Sequence, residues 1–411
     1  MQFTIDRNKL ADSLKIAAGI ATRKASMPIL SCIHVEAKEE GSPMMKDGQI
    51  IIMASNLDMG LRMSIECDVA EPGVICLPAK LLNDIVSVIP GEFVNVSCDD
   101  LHVAKIQTSP DHRFTVHGLP ADEFPTVTVF DENLPWGTVT AASLHGMIRQ
   151  TIYAVSADER RLQLNGAYLS QNRHPGDLGL RMVATDGHCL STAYRTAVQG
   201  LTGLQEGPQA IIPRNALQEI YRILDKRINK EDSVIKIAPA NGTFYLWCSE
   251  EGLGFSSRLI DAEYPDWRRV VPEKFANVIR IDRNEFLSAL RRLSIMTDQE
   301  LYLAVVLSVQ RGKPLLHMRT NHPDIGEAEE SLAVAFPDST SQLLWEEDVD
   351  DLKVSFNIRL LINSIEAIGE DEIILDLRDG AKPVRIMGAS SIHEEDALRQ
   401  GHLGIIMPLK L

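Results

Sequence analysis

The chain has 411 residues, of which 45% are hydrophobic, and a formal net charge of -16. This length suits about three domains, each large enough to bury its own core. No apolar run approaches the roughly 20 residues that span a bilayer, and the N-terminus lacks the segments of a signal peptide, so we expect a cytoplasmic protein. The six cysteines are dispersed and form no CxxC pair, so we expect no disulfide framework, no metal site and no cofactor.

Hydrophobic periodicity predicts the same elements three times along the chain. Apolar residues at helical spacing predict two amphipathic helices in each block, over about 10–21 and 81–89, then 144–152 and 217–224, then 286–293 and 361–368. Between these helices, alternating segments such as 49–54, 61–69 and 93–98 predict strands with one face inward. The sequence therefore predicts an α+β fold of three similar domains, each with two helices packed on antiparallel sheets.

Short sequence repeats support the triplication. Ile5-Asp6-Arg7-Asn8 returns letter for letter as Ile281-Asp282-Arg283-Asn284. A strand followed by Pro or Asn and a helix occurs at 75–82, 210–217 and 354–361, and the segment 119–125 resembles 259–265. The period of roughly 130 to 140 residues far exceeds that of solenoids and propellers. We therefore predict domains at 1–130, 131–275 and 276–411.

The negative net charge is unevenly distributed. Taken alone it argues against a nucleic-acid partner, because phosphate binding depends on Lys and Arg. The predicted helices, however, sum to roughly +8, which leaves roughly -24 for the rest of the chain. Basic helices repeated in three domains suggest a protein surface that binds phosphate groups.

Domain size suggests how such a surface could be used. A domain of this length approximates a sphere roughly 37 Å across. Three such spheres in a closed ring leave a hole of about 6 Å, whereas six leave roughly 37 Å, enough for a duplex about 20 Å wide. A head-to-tail dimer could thus encircle DNA and contact its phosphates without reading sequence.

Four motifs in order carry a family resemblance that covers the whole chain. They are Met27-Pro28-Ile29-Leu30, Ala184-Thr185-Asp186-Gly187-His188, the segment 264–270 (YPDWRRV) and the terminal segment 405–411 (IIMPLKL). The chain resembles the bacterial sliding clamp, the beta subunit of DNA polymerase III. The resemblance implies a DNA clamp fold, a ring-shaped head-to-tail homodimer around double-stranded DNA, and a processivity role without catalysis.

The resemblance also implies binding residues. A groove for short, mostly apolar peptides of the polymerase, the clamp loader and repair proteins would comprise Leu164, Thr185, Gly187, His188, Cys189, Leu190, Pro265, Arg269, Val270, Ile405, Met407, Pro408 and Leu409. DNA contacts would come from Lys24, Lys80, Arg160, Arg161, Leu162 and Gln163. The dimer interface would join Phe114 and Val116, on an edge strand of the first domain, to Leu293 and Ile295 of the third. The acidic insert 345–351 and the segment 390–402 exceed the family pattern and have no assigned function.

Two other classes of function compete with a clamp. Asp186, His188 and Ser191 could be a fragment of a hydrolase site, although no GxSxG, HExxH or phosphate-cradling glycine loop accompanies them. A triplicated peptide-binding scaffold without a DNA role would keep the groove and lack encirclement.

Overall fold

The structure is a computed structural model that describes residues 1–22, 27–39, 47–174, 177–196, 210–225, 227–228, 233–297, 303–336, 351–378, 382–391 and 401–410. Lys24, nearly all of the acidic insert 345–351 and most of the segment 390–402 lie outside these residues. The chain divides into two compact units. The first unit comprises Met1–Ala142, Val198–Glu206 and Asn215–Leu259, and the second comprises Ser143–Ala197, Gly207–Arg214 and Ile260–Leu411.

One order of elements, strand, helix, four strands, helix, three strands, occurs three times in the described residues. The first repeat contains β1 (Gln2–Asp6), α1 (Arg7–Ile20), β2 (Cys32–Glu39), β3 (Asp47–Ser55), β4 (Met59–Glu71), β5 (Gly73–Pro78), α2 (Ala79–Val88), β6 (Phe93–Cys98), β7 (Val103–Ser109) and β8 (His112–His117). The second contains β9 (Gly137–Thr140), α3 (Ala141–Thr151), β10 (Gly166–His174), β11 (Asp177–Thr185), β12 (Cys189–Thr196), β13 (Ala210–Pro213), α4 (Arg214–Asp225), β14 (Val234–Ala240), β15 (Thr243–Cys248) and β16 (Leu253–Arg258). The third contains β17 (Asn277–Asp282), α5 (Arg283–Leu293), β18 (Ala304–Gln310), β19 (Leu315–His322), β20 (Gly326–Ala333), β21 (Asp351–Asn357), α6 (Ile358–Glu366), β22 (Glu372–Leu377), β23 (Val384–Gly388) and β24 (His402–Ile406). The predicted α+β fold of three similar domains is confirmed.

The repeated Asp-Arg-Asn segment has the same structural role in both copies. The Asp6 carboxylate caps α1 by accepting from the N–H groups of Asn8 and Lys9, and Asp282 caps α5 by accepting from the N–H of Glu285. The next residue is an arginine that binds the end of the second helix: the guanidinium of Arg7 donates to the Ile89 carbonyl, and that of Arg283 to the Ile365 carbonyl. The repeated residues therefore fix the start of the first helix of a repeat and attach it to the end of the second helix.

Every strand pairing is antiparallel, and strand pairing also joins successive repeats. In the first unit, β16 of the second repeat adds to β4 of the first, with Phe255 opposite Leu61. In the second unit, β24 of the third repeat adds to β12 of the second, with Ile405 opposite Leu190. The first and second repeats thus each contribute a strand edge to a sheet that continues into the next repeat. Among the described residues, no helix is long and apolar enough to cross a membrane.

A buried polar cluster lies beneath the β12–β24 pairing. The Ser191 hydroxyl donates to the Gln150 carbonyl at 2.6 Å and lies 2.9 Å from Nε2 of His402. Burial lowers the pKa of His402 to about 3, and the positive charge of Arg195 acts in the same direction. His402 is therefore held neutral in the folded protein.

We expect the stability of the protein to fall with acidity through His402. Its folded pKa lies below the unfolded value of about 6.5, so its contribution is complete above pH 6.5 and is lost progressively as the pH falls toward 3, by at most about 1.4 kcal/mol per pH unit. Urea unfolding at pH 7, 6 and 5 should show a smaller pH slope in His402→Asn than in the wild type. The exposed His188→Asn variant is the control and should keep the wild-type slope. Equal slopes in all three proteins would contradict this role.

Candidate binding groove

All thirteen predicted groove residues lie in the second unit, and their exposure divides them into a floor and a rim. Four are buried: Leu164, Cys189, Leu190 and Ile405. Three are partly buried: Thr185, Met407 and Pro408. Six are exposed: Gly187, His188, Pro265, Arg269, Val270 and Leu409. The elements that carry them are the β11–β12 turn, the segment 264–271, the end of β24 and a short helical turn at Leu162–Leu164.

A tightly bonded turn forms one rim of the groove. The Oδ1 atom of Asp186 accepts from the N–H groups of His188 and Cys189, both at 2.7 Å, and the Thr185 hydroxyl accepts from the N–H of Gly187 at 3.1 Å. Gly187 has φ = 91°, a conformation that favours glycine. Asp186 was absent from the predicted site, although the Asp-Gly pair is a recognisable turn signal.

The C-terminal segment lies along this turn. Beyond the β12–β24 pairing, the N–H of Met407 donates to the His188 carbonyl at 2.8 Å, and the N–H of Leu409 donates to the Ser355 carbonyl at 2.7 Å. These bonds hold the tail after the last strand ends. Met407 and Leu409 therefore present their side chains from a fixed backbone.

Two aromatic residues that the site prediction missed support the floor. Tyr264 and Trp267 pack in one buried cluster with Leu164, Leu190 and Ile405. The Tyr264 hydroxyl donates to the Val183 carbonyl at 3.3 Å. The aromatic letters of the 264–270 motif could have indicated this, because large rings in a short loop are usually anchored in a core.

The outer rim combines an apolar side chain with a charge. Val270 is 44% exposed, and neighbouring Arg269 extends into solvent while its Nε donates to a carboxylate oxygen of Asp266 at 3.0 Å. An apolar floor with a few polar groups at its edge is typical of a peptide or small-molecule site.

The predicted DNA-contact stretch adjoins the groove. Leu162 is 62% exposed, Gln163 is partly buried, and Arg160 and Arg161 both form ion pairs with Asp158. Hydrogen bonds from Arg160 lower the pKa of the Asp158 carboxyl. Lys80, the second residue of α2, is exposed in the first unit.

The residues predicted for the dimer interface differ in accessibility. Phe114 on β8 is 39% exposed and Ile295 beyond α5 is 76% exposed. Val116 and Leu293 are 2% and 1% exposed, so their side chains belong to the protein's own core. Leu293 is the last residue of α5. An accessible contact at these positions therefore depends on Phe114 and Ile295.

The three residues considered as a hydrolase fragment do not come together as a catalytic site. Ser191 is fully buried and contacts His402, whereas Asp186 caps the turn and His188 is exposed. Burial also raises the pKa of the Cys189 thiol, which disfavours a thiolate nucleophile. Among the described residues, no group of three or more His, Cys, Asp or Glu side chains is placed to hold a metal ion.

The first unit contains a second copy of the groove turn. Asn56 Oδ1 accepts from the N–H groups of Asp58 and Met59, as Asp186 does in the groove, and Leu57 takes the positive φ of Gly187. The N–H of Arg258 donates to the Asp58 carbonyl, which matches the bond from Met407 to His188. Here, however, Arg258 also approaches the Asp58 carboxylate at 4.0 Å. The copied turn therefore carries charges where the groove has His188 and Met407.

Comparison with known proteins gives matches along the whole chain. Three family profiles match in chain order: the N-terminal domain of the DNA polymerase III beta subunit over residues 1–128, its central domain over 138–266 and its C-terminal domain over 268–397. A protein of Pseudomonas aeruginosa named beta sliding clamp is 27% identical over 414 residues and covers 100% of both chains.

Solved structures give the same result. The crystal structure of a sliding clamp from Bartonella birtlesii bound to griselimycin has a TM-score of 0.83 and 27% identity, with 100% of both chains covered. The Pseudomonas aeruginosa clamp bound to griselimycin has a TM-score of 0.82 and 26% identity, again with 100% of both chains covered.

The turn at the groove rim should depend on the Asp186 carboxylate. Asp186→Ala removes the acceptor for two N–H groups, so amide hydrogen exchange at His188 and Cys189 should accelerate roughly tenfold. Asp186→Asn keeps an oxygen at Oδ1 and should remain near the wild-type rate. The matched control is Asn56→Ala, which opens the copied turn and should leave both groove amides unchanged. Unaltered exchange in Asp186→Ala would show that the turn is held by other contacts.

Proposed function

This chain belongs to the DNA polymerase III beta subunit family, and on that premise we propose that it encircles duplex DNA as a head-to-tail dimer in the cytoplasm. It is a DNA sliding clamp, a non-catalytic processivity factor. The proposed dimer would contain six domains, with the boundaries at 1–130, 131–275 and 276–411 in each copy. The groove defined above would tether the replicative polymerase, the clamp loader and repair proteins through short apolar peptides.

The observation that carries the proposal is a pair of unoccupied strand edges. Within the chain, β4 accepts β16 and β12 accepts β24. Each of these pairings joins the fourth strand of one repeat to the last strand of the next. Among the described strands, the corresponding edges β20 and β8 pair only with β19 and β7. The same rule would pair β20 of one copy with β8 of a second copy, and two such junctions would close the assembly.

The repeats also predict the register of this junction. If the repeats are aligned on the equivalent backbone bonds of Leu119, Ile260 and Leu409, Thr115 of one copy would lie opposite Gly326 of the other and Phe114 opposite Glu327. Phe114 would then meet the exposed Ile295, whose short helical turn contacts β20. Near this junction β8 contributes Arg113, and β20 contributes glutamates 327, 329 and 330, which form ion pairs with Arg319 and Arg292 of the same chain.

DNA contact in this proposal is electrostatic and independent of sequence. Lys80, Arg160 and Arg161 would bind phosphates, together with Lys24 outside the described residues, and the exposed Leu162 and the partly buried Gln163 would lie beside them. A small number of such contacts gives weak binding that is sensitive to salt and permits sliding. Enclosure, and not affinity, would keep the protein on DNA.

The dimer junction should open when Phe114 is made acidic. In Phe114→Asp the new carboxylate would lie opposite Glu327, which should weaken dimerisation by about 2 kcal/mol, roughly 30-fold. Analytical ultracentrifugation at micromolar concentration would measure the shift toward monomer. Leu101→Asp, at an apolar residue that is 82% exposed on the β6–β7 turn, should leave the dimer intact. A dimer of unchanged affinity in Phe114→Asp would exclude this junction.

Loading onto plasmid DNA should distinguish encirclement from the other functions. With a clamp loader and ATP, the wild type should remain on a nicked circular plasmid during gel filtration and should leave once the plasmid is cut to a linear form. A peptide-binding scaffold without a DNA role would not be retained on either form. Retention after linearisation would indicate ordinary surface binding and would refute the ring.

A further inference from the structure

Arg161 contacts both the predicted DNA-contact stretch and the groove. Its Nη1 atom donates to the Asp186 carbonyl at 3.3 Å, on the turn that forms the groove rim. Its Nε atom lies 3.7 Å from the Asp158 carboxylate. Its own carbonyl accepts from the N–H of Leu164, a floor residue, at 2.8 Å. One residue therefore joins the basic stretch to both the rim and the floor of the groove.

The Asp158 carboxylate is shared between two arginines. Arg160 donates to it from Nε at 2.9 Å and from Nη2 at 3.3 Å, and the Arg160 side chain is itself 90% exposed. The Arg161 side chain is 51% exposed, so a phosphate could reach both guanidinium groups. A bound phosphate would compete with Asp158 for Arg160 and with the Asp186 carbonyl for Arg161.

Phosphate binding acts on the groove turn through Arg161. Direct binding to Arg161 draws its guanidinium away from the Asp186 carbonyl. The turn then loses a hydrogen bond from a charged donor to the Asp186 carbonyl. The Arg161 guanidinium also lies close to the next residue, because a Cβ atom added at Gly187 would be only 3.2 Å from Nη1.

We propose that Arg161 is a positioning residue that couples the two sites, so that DNA held against Arg160 and Arg161 weakens binding in the groove. The inference rests on the proposed function, because it requires DNA and a groove ligand on the same protein. Because this bond is long and solvent-exposed, its loss lies at the weak end of the usual range and corresponds to about a threefold change in affinity. Coupling is reciprocal, so an occupied groove would weaken DNA contact by the same factor. A partner would therefore be held most firmly when DNA is away from this stretch.

Calorimetric titration with griselimycin, the compound bound in two related clamps, would test the coupling in the full-length dimer. The dissociation constant should rise about threefold when a 40-base-pair duplex is present in excess at low salt, with duplex binding followed separately by anisotropy. Arg161→Gln should bind griselimycin about threefold more weakly without DNA, and the duplex should then have no further effect. Arg161→Lys keeps the charge but loses the fork that spans two acceptors, so it should bind DNA yet resemble Arg161→Gln in the groove.

Arg160→Gln is the matched control because Arg160 makes no contact with the turn among its described interactions. This variant should bind DNA more weakly and should keep the wild-type griselimycin affinity without DNA. Saturating duplex should still raise its dissociation constant for griselimycin. An equal dissociation constant with and without bound duplex in the wild type, or a wild-type affinity in Arg161→Gln without DNA, would overturn the coupling.

A second pair of variants separates this failure from failure of the groove itself. Val270→Asp should abolish griselimycin binding, and Val234→Asp, at a valine of nearly equal exposure in the first unit, should not. If Val270→Asp binds normally, the groove assignment is wrong and the coupling falls with it. If only the DNA effect is missing, the groove stands and the coupling alone is refuted.

Discussion

Antiparallel strand addition between repeats is the interaction on which the rest of this structure depends. Each repeat ends in a strand whose outer backbone groups need partners, because unpaired N–H and C=O groups are costly when buried and promote association when exposed. Inside the chain, β16 and β24 meet that need by extending the preceding repeat. A repeat is therefore incomplete alone, and the same requirement leaves β8 and β20 available at the two ends of the series.

The residues of the candidate groove come from such a junction and not from a single repeat. The rim turn belongs to the second repeat and the tail to the third, and the bond from Met407 to His188 joins them. The first unit repeats the turn and its backbone bond with Asp58 and Arg258, and there two charged side chains take the positions of His188 and Met407. The same backbone geometry thus occurs twice in the chain with different side-chain chemistry.

The sequence predicted the repeated elements well because their signals are local. The helical periodicity and the segments of strand, Pro or Asn, and helix each depend on neighbouring residues, and both appear where expected. The accessibility of single side chains depends on strand parity and on what packs against each face, so the burial of Val116 could not be recognised, whereas Leu293 lies on the predicted apolar stripe of α5 and is buried there. The anchoring of Tyr264 and Trp267 and the contact from Arg161 to Asp186 join residues distant in sequence, and no local pattern indicates such contacts.

The β4–β16 and β12–β24 ladders are intramolecular, and this has a consequence for the lifetime of each joint. Strands that belong to one covalent chain cannot separate fully, so a ladder that breaks inside the chain re-forms at a high effective concentration of its two halves. The same ladder between separate copies has no tether and obeys mass action, so its occupancy falls on dilution. In a closed assembly, this difference in connectivity would make the ladders between copies open more readily than the ladders within a copy.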